Sequence, residues 1–333
     1  MTSPAVETVA APGPPAGVPT GGPAVAPAPP TRRAGAGRPG ALTARLLRST
    51  PVVAVLAVVV LAAVWELYKA LGPDDGWSVG ETRLLPRTTD LAMPHTWDMV
   101  ARLVEPVSGA RDAPVLWRAV LDAGTLSLGI AVVGWVVGVT VGMLLALAMQ
   151  RLRVVERAVL PLVVLSQTVP LIALAPLVRS WGAKLQVGGL EWEPWMSVAV
   201  IASYLAFFPV AVGMLRGLQS PDTIHVELMT AYAAGWFATL VRLRLPAAVP
   251  HLLPALRLAA ANAVIGTVVA EVATGLPGGL GRMILEFANF ASSDPAKPWA
   301  PIFGAVVLGL VAAGLVTLLG RSLGRFRRGE VVA

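Results

Sequence analysis

The stretch Leu126-Ser-Leu-Gly-Ile-Ala-Val-Val-Gly-Trp-Val-Val-Gly-Val-Thr-Val-Gly-Met-Leu-Leu-Ala-Leu-Ala-Met149 contains no charged side chain. Wound as an α-helix at 1.5 Å per residue it is about 36 Å long, enough to cross the roughly 30 Å apolar core of a bilayer. Five other runs meet the same test. They lie at about Pro51–Leu71, Val155–Leu177, Trp195–Leu218, Leu252–Thr274 and Trp299–Leu319, the second of them holding Pro161, Pro170 and Pro176. The expected fold is therefore all-α, a polytopic membrane helix bundle of six transmembrane helices. Composition agrees: of 333 residues, 56% are hydrophobic and 14% charged, whereas soluble domains run at roughly 45–50% and about 25%.

Outside these runs the chain divides by composition. Residues 1–48 are rich in Pro, Ala and Gly, with too little to bury to offset their conformational entropy, and read as a disordered cytoplasmic tail. Residues 49–120 hold the first span and a long outer loop, in which Trp97-Asp-Met-Val-Ala-Arg-Leu-Val104 alternates at helical spacing. Residues 121–320 form the core, and 321–333 a basic cytoplasmic tail. Arginine clusters set the orientation: Arg32, Arg33, Arg38, Arg45 and Arg48 precede the first span, Arg151, Arg153 and Arg157 follow the second, Arg242 and Arg244 precede the fifth, and Arg321, Arg325, Arg327 and Arg328 close the chain. The opposite loop carries Asp74, Asp75, Glu81, Asp90, Asp98, Glu105 and Asp112. Positive charge held inside places both termini in the cytoplasm of a bacterial cell membrane. Trp65, Trp77, Trp192, Trp195 and Trp299 fall at or near span ends, where amphipathic rings prefer the interface, while Trp135 lies within a span and is expected to pack on a neighbouring helix.

The same pattern limits the chemistry. A net charge of +7 could suggest nucleic-acid binding, yet the arginines flank apolar runs instead of forming a phosphate-tracking patch, so no nucleic-acid partner is expected. Cysteine is absent and the three histidines, His95, His225 and His251, lack metal-ligand spacing, so no metal and no cofactor is expected. No Gly-rich phosphate loop of the Walker type is present, and no catalytic cluster is visible, so the chain is not expected to be an enzyme.

One loop needs a separate explanation: Gln219-Ser-Pro-Asp-Thr-Ile-His-Val-Glu227-Leu-Met-Thr-Ala-Tyr-Ala233-Ala-Gly235-Trp-Phe-Ala-Thr-Leu-Val-Arg-Leu243-Arg-Leu245-Pro246. Ser220-Pro221-Asp222 reads as a helix start, with a capping hydroxyl, proline in the first turn and an acid near the positive end of the dipole. The helix reaches about Tyr232, breaks at Ala233-Ala-Gly235, and a second amphipathic helix runs to Leu245-Pro246, where proline ends it. Two short helices projecting inward make a rigid knob that can seat in a groove on a partner.

This loop resembles the EAA loop of binding-protein-dependent ABC importer permeases, which reads Glu-Ala-Ala, three residues, Gly, nine residues, Ile-x-Leu-Pro. Counted back from Leu245-Pro246, Leu243 takes the isoleucine position, Ala233 the glycine and Glu227 the glutamate, with Leu228 and Met229 replacing the two alanines. Gly235, two residues on, is expected to supply the flexible turn. Gln167-Thr-Val-Pro170 and Leu245-Pro-Ala-Ala-Val-Pro250, running on to Glu271 and Gly278-Gly-Leu-Gly281, resemble the nitrate/sulfonate/taurine branch, which includes permeases for pyrimidine precursors. The resemblance covers about residues 80–320. It implies a type I importer permease acting as a homodimer in the lipid bilayer, coupled through Glu227, Ala233, Gly235, Leu243, Leu245 and Pro246 to two cytoplasmic ABC ATPase subunits, and supplied by an extracytoplasmic substrate-binding protein. An ion-gradient-driven secondary transporter is the alternative; it would show inverted repeats and several embedded acids.

Polar groups inside apolar spans are costly and so become pathway candidates: Gln167 and Thr168 beside Pro170, Asn262, and Glu271. Proline at 170 breaks the helical ladder and can leave carbonyls facing a cavity. Glu271 reads either as a gate residue or as a carboxylate bonded to a neighbouring helix. Arg257 lies near the inner end of the fifth span, where snorkelling to the surface is open to it, and it is too far from Glu271 to pair.

Overall fold

The computed structural model describes residues 50–79, 82–187 and 190–322. The proposed disordered tail, 1–48, and all but the start of the basic tail, 321–333, lie outside these residues. The chain divides into two compact units, 1–59 and 60–333; of the first, only the opening of helix α1 from Thr50 is described. The elements are α1 (Thr50–Leu71), α2 (Thr96–Ala101), α3 (Leu116–Arg151), α4 (Arg153–Ser166), α5 (Leu171–Gly182), α6 (Pro194–Leu218), α7 (Thr223–Ala231), α8 (Trp236–Thr239), α9 (Leu245–Thr274), α10 (Leu280–Ala288) and α11 (Trp299–Ser322). Two short antiparallel hairpins, β1–β2 (Trp77–Val79, Thr82–Leu85) and β3–β4 (Gln186–Val187, Leu190–Glu191), sit in loops and leave the architecture helical.

Among the described residues five helices are long and apolar enough to cross a membrane: Val52–Leu71, Leu116–Arg151, Pro194–Leu218, Trp236–Thr274 and Trp299–Arg321. The sixth expected span departs from expectation. Instead of one helix over 155–177, α4 and α5 meet at a bend of 103°. Pro170 at the start of α5 has no N–H to continue the ladder and disfavours helical geometry in the residue before it. The freed chain closes instead in tight turns, with Thr168 N bonded to Leu165 O at 3.0 Å and Val169 N to Ser166 O at 3.3 Å. Pro161 and Pro176 are accommodated within their helices.

The centre of the bundle is α6, packed between α3 and α9. Small residues set both seams. On α3, Gly134, Gly138 and Gly142 face α6 so closely that an added Cβ would lie 2.5 Å from Ala202 Cβ, 2.7 Å from Ala206 Cβ and 2.6 Å from Phe207 O. On the other side Gly213 and Gly217 meet Ala255 and Ala248 of α9. Helix association in lipid gains nothing from the hydrophobic effect, so close backbone approach through glycine and alanine supplies the dispersion contacts. Trp135 packs across the seam as expected, its indole N–H donating to Leu256 O at 3.2 Å.

The apolar side chains of α1 are largely exposed, in keeping with a lipid-facing helix. Polar bonds hold its C-terminal end to the loop 86–96. Glu66 accepts from Thr96 N and Thr96 Oγ1, both at 2.7 Å, and lies 2.7 Å from His95 Nδ1. Lys69 Nζ donates to Asp90 Oδ1 and Met93 O, both at 2.6 Å. Trp65 donates to Pro94 O at 3.1 Å and stands edge-on to Trp299. The helical reading of Trp97–Val104 also holds, as α2 followed by a 3₁₀ turn over Arg102–Val104.

Candidate functional site

The loop 219–246 is built as a short helix on a reinforced base. Ser220 does not cap α7. Its hydroxyl donates back to Gly217 O at 2.8 Å and closes α6, and the N-cap of α7 is Asp222, without a side-chain capping bond. The Ser220 hydroxyl is spent on the Gly217 carbonyl, so it is not available to α7, and the helix starts later than expected.

Helix α7 ends in a Schellman motif. Ala234 N bonds to Met229 O and Ala233 N to Thr230 O, both at 2.9 Å. That 6→1, 5→2 pairing requires the residue after the C-cap to be left-handed, and Ala233 has φ +52°, the only non-glycine with positive φ among the described residues. Gly235 was expected to supply the turn, and does not. Its φ of −66° and ψ of 167° are extended, and it serves as the N-cap of α8. The position of the family glycine therefore keeps the left-handed backbone, although alanine occupies it.

The second helix is not a separate unit either. From Trp236 the chain passes through a π-helical turn, Leu240–Arg244, into α9, giving one apolar helix of 39 residues, Trp236–Thr274. Pro246 does not end a helix; it lies in the first turn of α9. In the wider π-turn just before it Leu245 N bonds to Leu240 O, which makes room for the ring and carries the helix through the proline. Leu243 lies in the π-turn, while Leu245 packs with Leu218, Leu240 and Ala248.

On α7 the residues Ile224, Leu228 and Tyr232 are 70%, 53% and 78% exposed. Their spacing of four places them along one face. Glu227, one residue from that face, is exposed and makes no ion pair among the described residues. The base of the element is tied down: Trp236 Nε1 donates to Gln150 Oε1 at 3.2 Å, Arg151 stands over the Trp236 ring at 4.9 Å, and Gln219 Nε2 donates to Glu156 Oε1 at 2.9 Å. The apolar stripe thus stands exposed above a base that these contacts hold in place.

The embedded polar residues are not gathered in one place. Gln167 and Thr168 occupy the bend between α4 and α5; Gln167 Nε2 donates to Ser166 Oγ at 3.3 Å and Thr168 Oγ1 to Leu165 O at 2.8 Å. Tyr204 OH donates to Ser166 O, bracing the bend against α6. Asn262 donates to Leu205 O at 3.3 Å, from α9 to α6. Glu271 is fully buried near the other end of α9. Its Oε1 accepts from Ser127 Oγ at 2.7 Å and its Oε2 from Gly281 N at 2.8 Å, while Ser127 Oγ accepts from Leu280 N at 2.9 Å. One carboxylate thus joins α3, α9 and the N-terminal turn of α10, whose N–H groups favour negative charge. Arg257 makes no ion pair among the described residues, and its Nε is buried without a hydrogen-bond partner. Two clefts of about 530 and 410 Å³ along the α3–α11 seam are lined almost wholly by apolar side chains.

Ser127 and Gln150 had no signal in the sequence, since their partners Glu271 and Trp236 lie 144 and 86 residues away. Glu66 and Lys69 had one: they are charges within an apolar run, the criterion that singled out Glu271.

A bundle of apolar spans with a short helical knob outside them is the architecture of a multi-pass membrane protein. The chain belongs to the family of binding-protein-dependent transport system inner membrane components, which it matches over residues 138–325. It is 35% identical over 244 residues to a formylaminopyrimidine transport permease protein of Halalkalibacterium halodurans, covering 70% of this chain and 91% of that one. It is 28% identical over 202 residues to a putative aliphatic sulfonates transport permease protein of Bacillus subtilis, covering 61% and 69%. A probable ABC transporter permease protein of Haemophilus influenzae is 31% identical over 153 residues, covering 46% and 58%. The chain is a multi-pass membrane protein and the translocation subunit of an ABC importer for small solutes, working with ATPase and binding-protein partners and not itself an enzyme. The ion-gradient alternative falls with that membership.

Proposed function

We propose that two copies of this chain form the pathway, with both termini cytoplasmic, and that each presents the face of α7 to one of two ATPase subunits. The exposed stripe Ile224–Leu228–Tyr232 beside the unpaired Glu227 carries this reading, because an apolar stripe outside the bilayer needs a protein partner. The left-handed turn at Ala233 sets the angle between α7 and the long helix, and Leu243, Leu245 and Pro246 join that helix to the bundle. Gln167 and Thr168 at the bend, with Asn262, are the pathway candidates; Glu271 sets the outer ends of the helices around them. An extracytoplasmic binding protein delivers the solute. Identity of 35% over nearly the whole of a formylaminopyrimidine permease supports a pyrimidine-precursor solute, with a sulfonate-type anion as the second class.

Co-purification tests the docking surface. The chain is expressed with the ATPase of its own system, and Leu228 and Tyr232 are each changed to Glu. Association is expected to be lost with the bundle still folded; an ATPase that stays bound to the double variant would refute the reading. Thermal-shift screening of the partner binding protein against pyrimidines and sulfonates decides the solute class.

A further inference from the structure

Helix α3 and the long helix Trp236–Thr274 are cross-tied at three levels. At the outer end Ser127 bonds Glu271 at 2.7 Å; midway Trp135 bonds Leu256 O at 3.2 Å; at the inner end Trp236 bonds Gln150 at 3.2 Å. The inner tie differs from the others. Gln150 and Arg151 are the last two residues of α3, and Trp236 is the first residue after the turn that carries the α7 knob. The knob continues by backbone into α9, through the π-turn at Leu240–Arg244, but it reaches α3 only through side chains. Trp236 makes that junction with its N–H on Gln150, its ring beneath Arg151 at 4.9 Å, and its body against the cluster of Ala146, Met149, Leu218 and Leu240.

We propose that Trp236 is a positioning residue for energy coupling: it fixes the inner end of α3 to the base of the knob, so that displacement of α7 moves α3 and the long helix as one body. The inference rests on the docking role of α7. The knob's covalent routes lead to α6 at Gln219 and to α9 through the π-turn. Its one hydrogen bond to α3 among the described residues is that of Trp236, so without this tie the inner end of α3 would follow only through packing against α6. With the tie closed at both ends and in the middle, a push at α7 reaches Ser127 and the Glu271 carboxylate together. Removing one hydrogen bond and one cation–π contact is expected to raise the detached population of the junction about tenfold.

The chain contains no cysteine, so label pairs can be introduced without background. Spin labels at Thr230→Cys on α7 and Ala148→Cys on α3, both exposed positions, report the junction in the complex with the ATPase in lipid. The interspin distance is measured without nucleotide and after trapping with ATP and vanadate. In the otherwise unsubstituted chain the distance should stay constant. In Trp236→Ala and in Gln150→Leu, which removes only the acceptor, it should change on trapping and its distribution should at least double in width. Trp236→Phe, which keeps the ring beneath Arg151, should fall between. An invariant distance in both Trp236→Ala and Gln150→Leu, with the ATPase still bound, overturns the inference and leaves the docking role standing. Loss of ATPase from those variants also overturns it, because Trp236 would then shape the docking surface. An ATPase that fails to bind the unsubstituted chain sinks the docking role itself.

Discussion

Ala233 occupies a backbone conformation that suits glycine, and replacing it with glycine tests the turn reading quantitatively. At φ +52° its Cβ is crowded against the following carbonyl, a cost of about 1–2 kcal/mol for an L-residue. Glycine removes that cost but gives back about 0.4–1 kcal/mol through the greater freedom of the unfolded chain. The net gain is about 0.5–1 kcal/mol, or roughly two- to fivefold in the closing equilibrium of the turn. Ala233→Val should go the other way by about 1 kcal/mol or more, because a β-branched residue is least tolerated there. Gly235→Ala is the control: its φ is −66° and an added Cβ meets nothing within 4 Å, so the change should stay within about 0.5 kcal/mol. Hydrogen exchange of the peptide spanning residues 223–240 reads the effect, since the Ala233 and Ala234 amides close the motif. Exchange should slow in Ala233→Gly, quicken in Ala233→Val and hold in Gly235→Ala. Faster exchange in Ala233→Gly, or a larger effect at Gly235 than at Ala233, would refute the assignment of the turn.

Three further outcomes follow from the geometry. Gly281→Ala would place Cβ 2.2 Å from Val268 O and 2.7 Å from Glu271 Cβ, where backbone cannot yield; it should cost about 1–3 kcal/mol or more and lower the thermal unfolding temperature in detergent, and an unchanged temperature would disprove the close packing around Glu271. The hydrogen bond and charge of Lys69 hold the Asp90 carboxyl below its ordinary value of 3.8, so this tie contributes above that pH and is lost as pH falls through the lowered value. A spin label at Leu91→Cys should therefore gain mobility in strong acid and, at neutral pH, in Asp90→Asn; a label equally immobile throughout would contradict the tie. For topology, Thr230→Cys should react with an impermeant maleimide only in inverted vesicles and Asp112→Cys only in right-side-out ones, and the reverse pattern would overturn the orientation.

Much of this was legible in the chain itself. Apolar length alone located the five long spans, because a bilayer demands about 20 apolar residues whatever they pack against. Spacing alone singled out the loop 219–246, and Ala233, counted back to a glycine position, is the residue with the left-handed backbone. What local reading missed were consequences of competition between neighbours. The third span looked continuous by composition, but proline at 170 and the turn before it bend it by 103°. Proline at 246 looked like a terminator, yet the π-turn ahead of it carries the helix through. Gly235 looked like the flexible residue because it is glycine, although the hydrogen bonds that close α7 place the left-handed residue two positions earlier.

Sequence by itself determined the class of molecule, the spans and the place of the knob, since each depends on composition or spacing within one segment. Tertiary structure alone decided which buried polar groups are spoken for. Glu271 stood out as a charge in an apolar run, but whether it faced a pathway or a neighbour depended on Ser127, 144 residues away, and on the turn at Gly281. The tie between Trp236 and the end of α3 is of the same kind. A hydrogen bond across two helices leaves no periodicity in either, so only their packing against α6 reveals it.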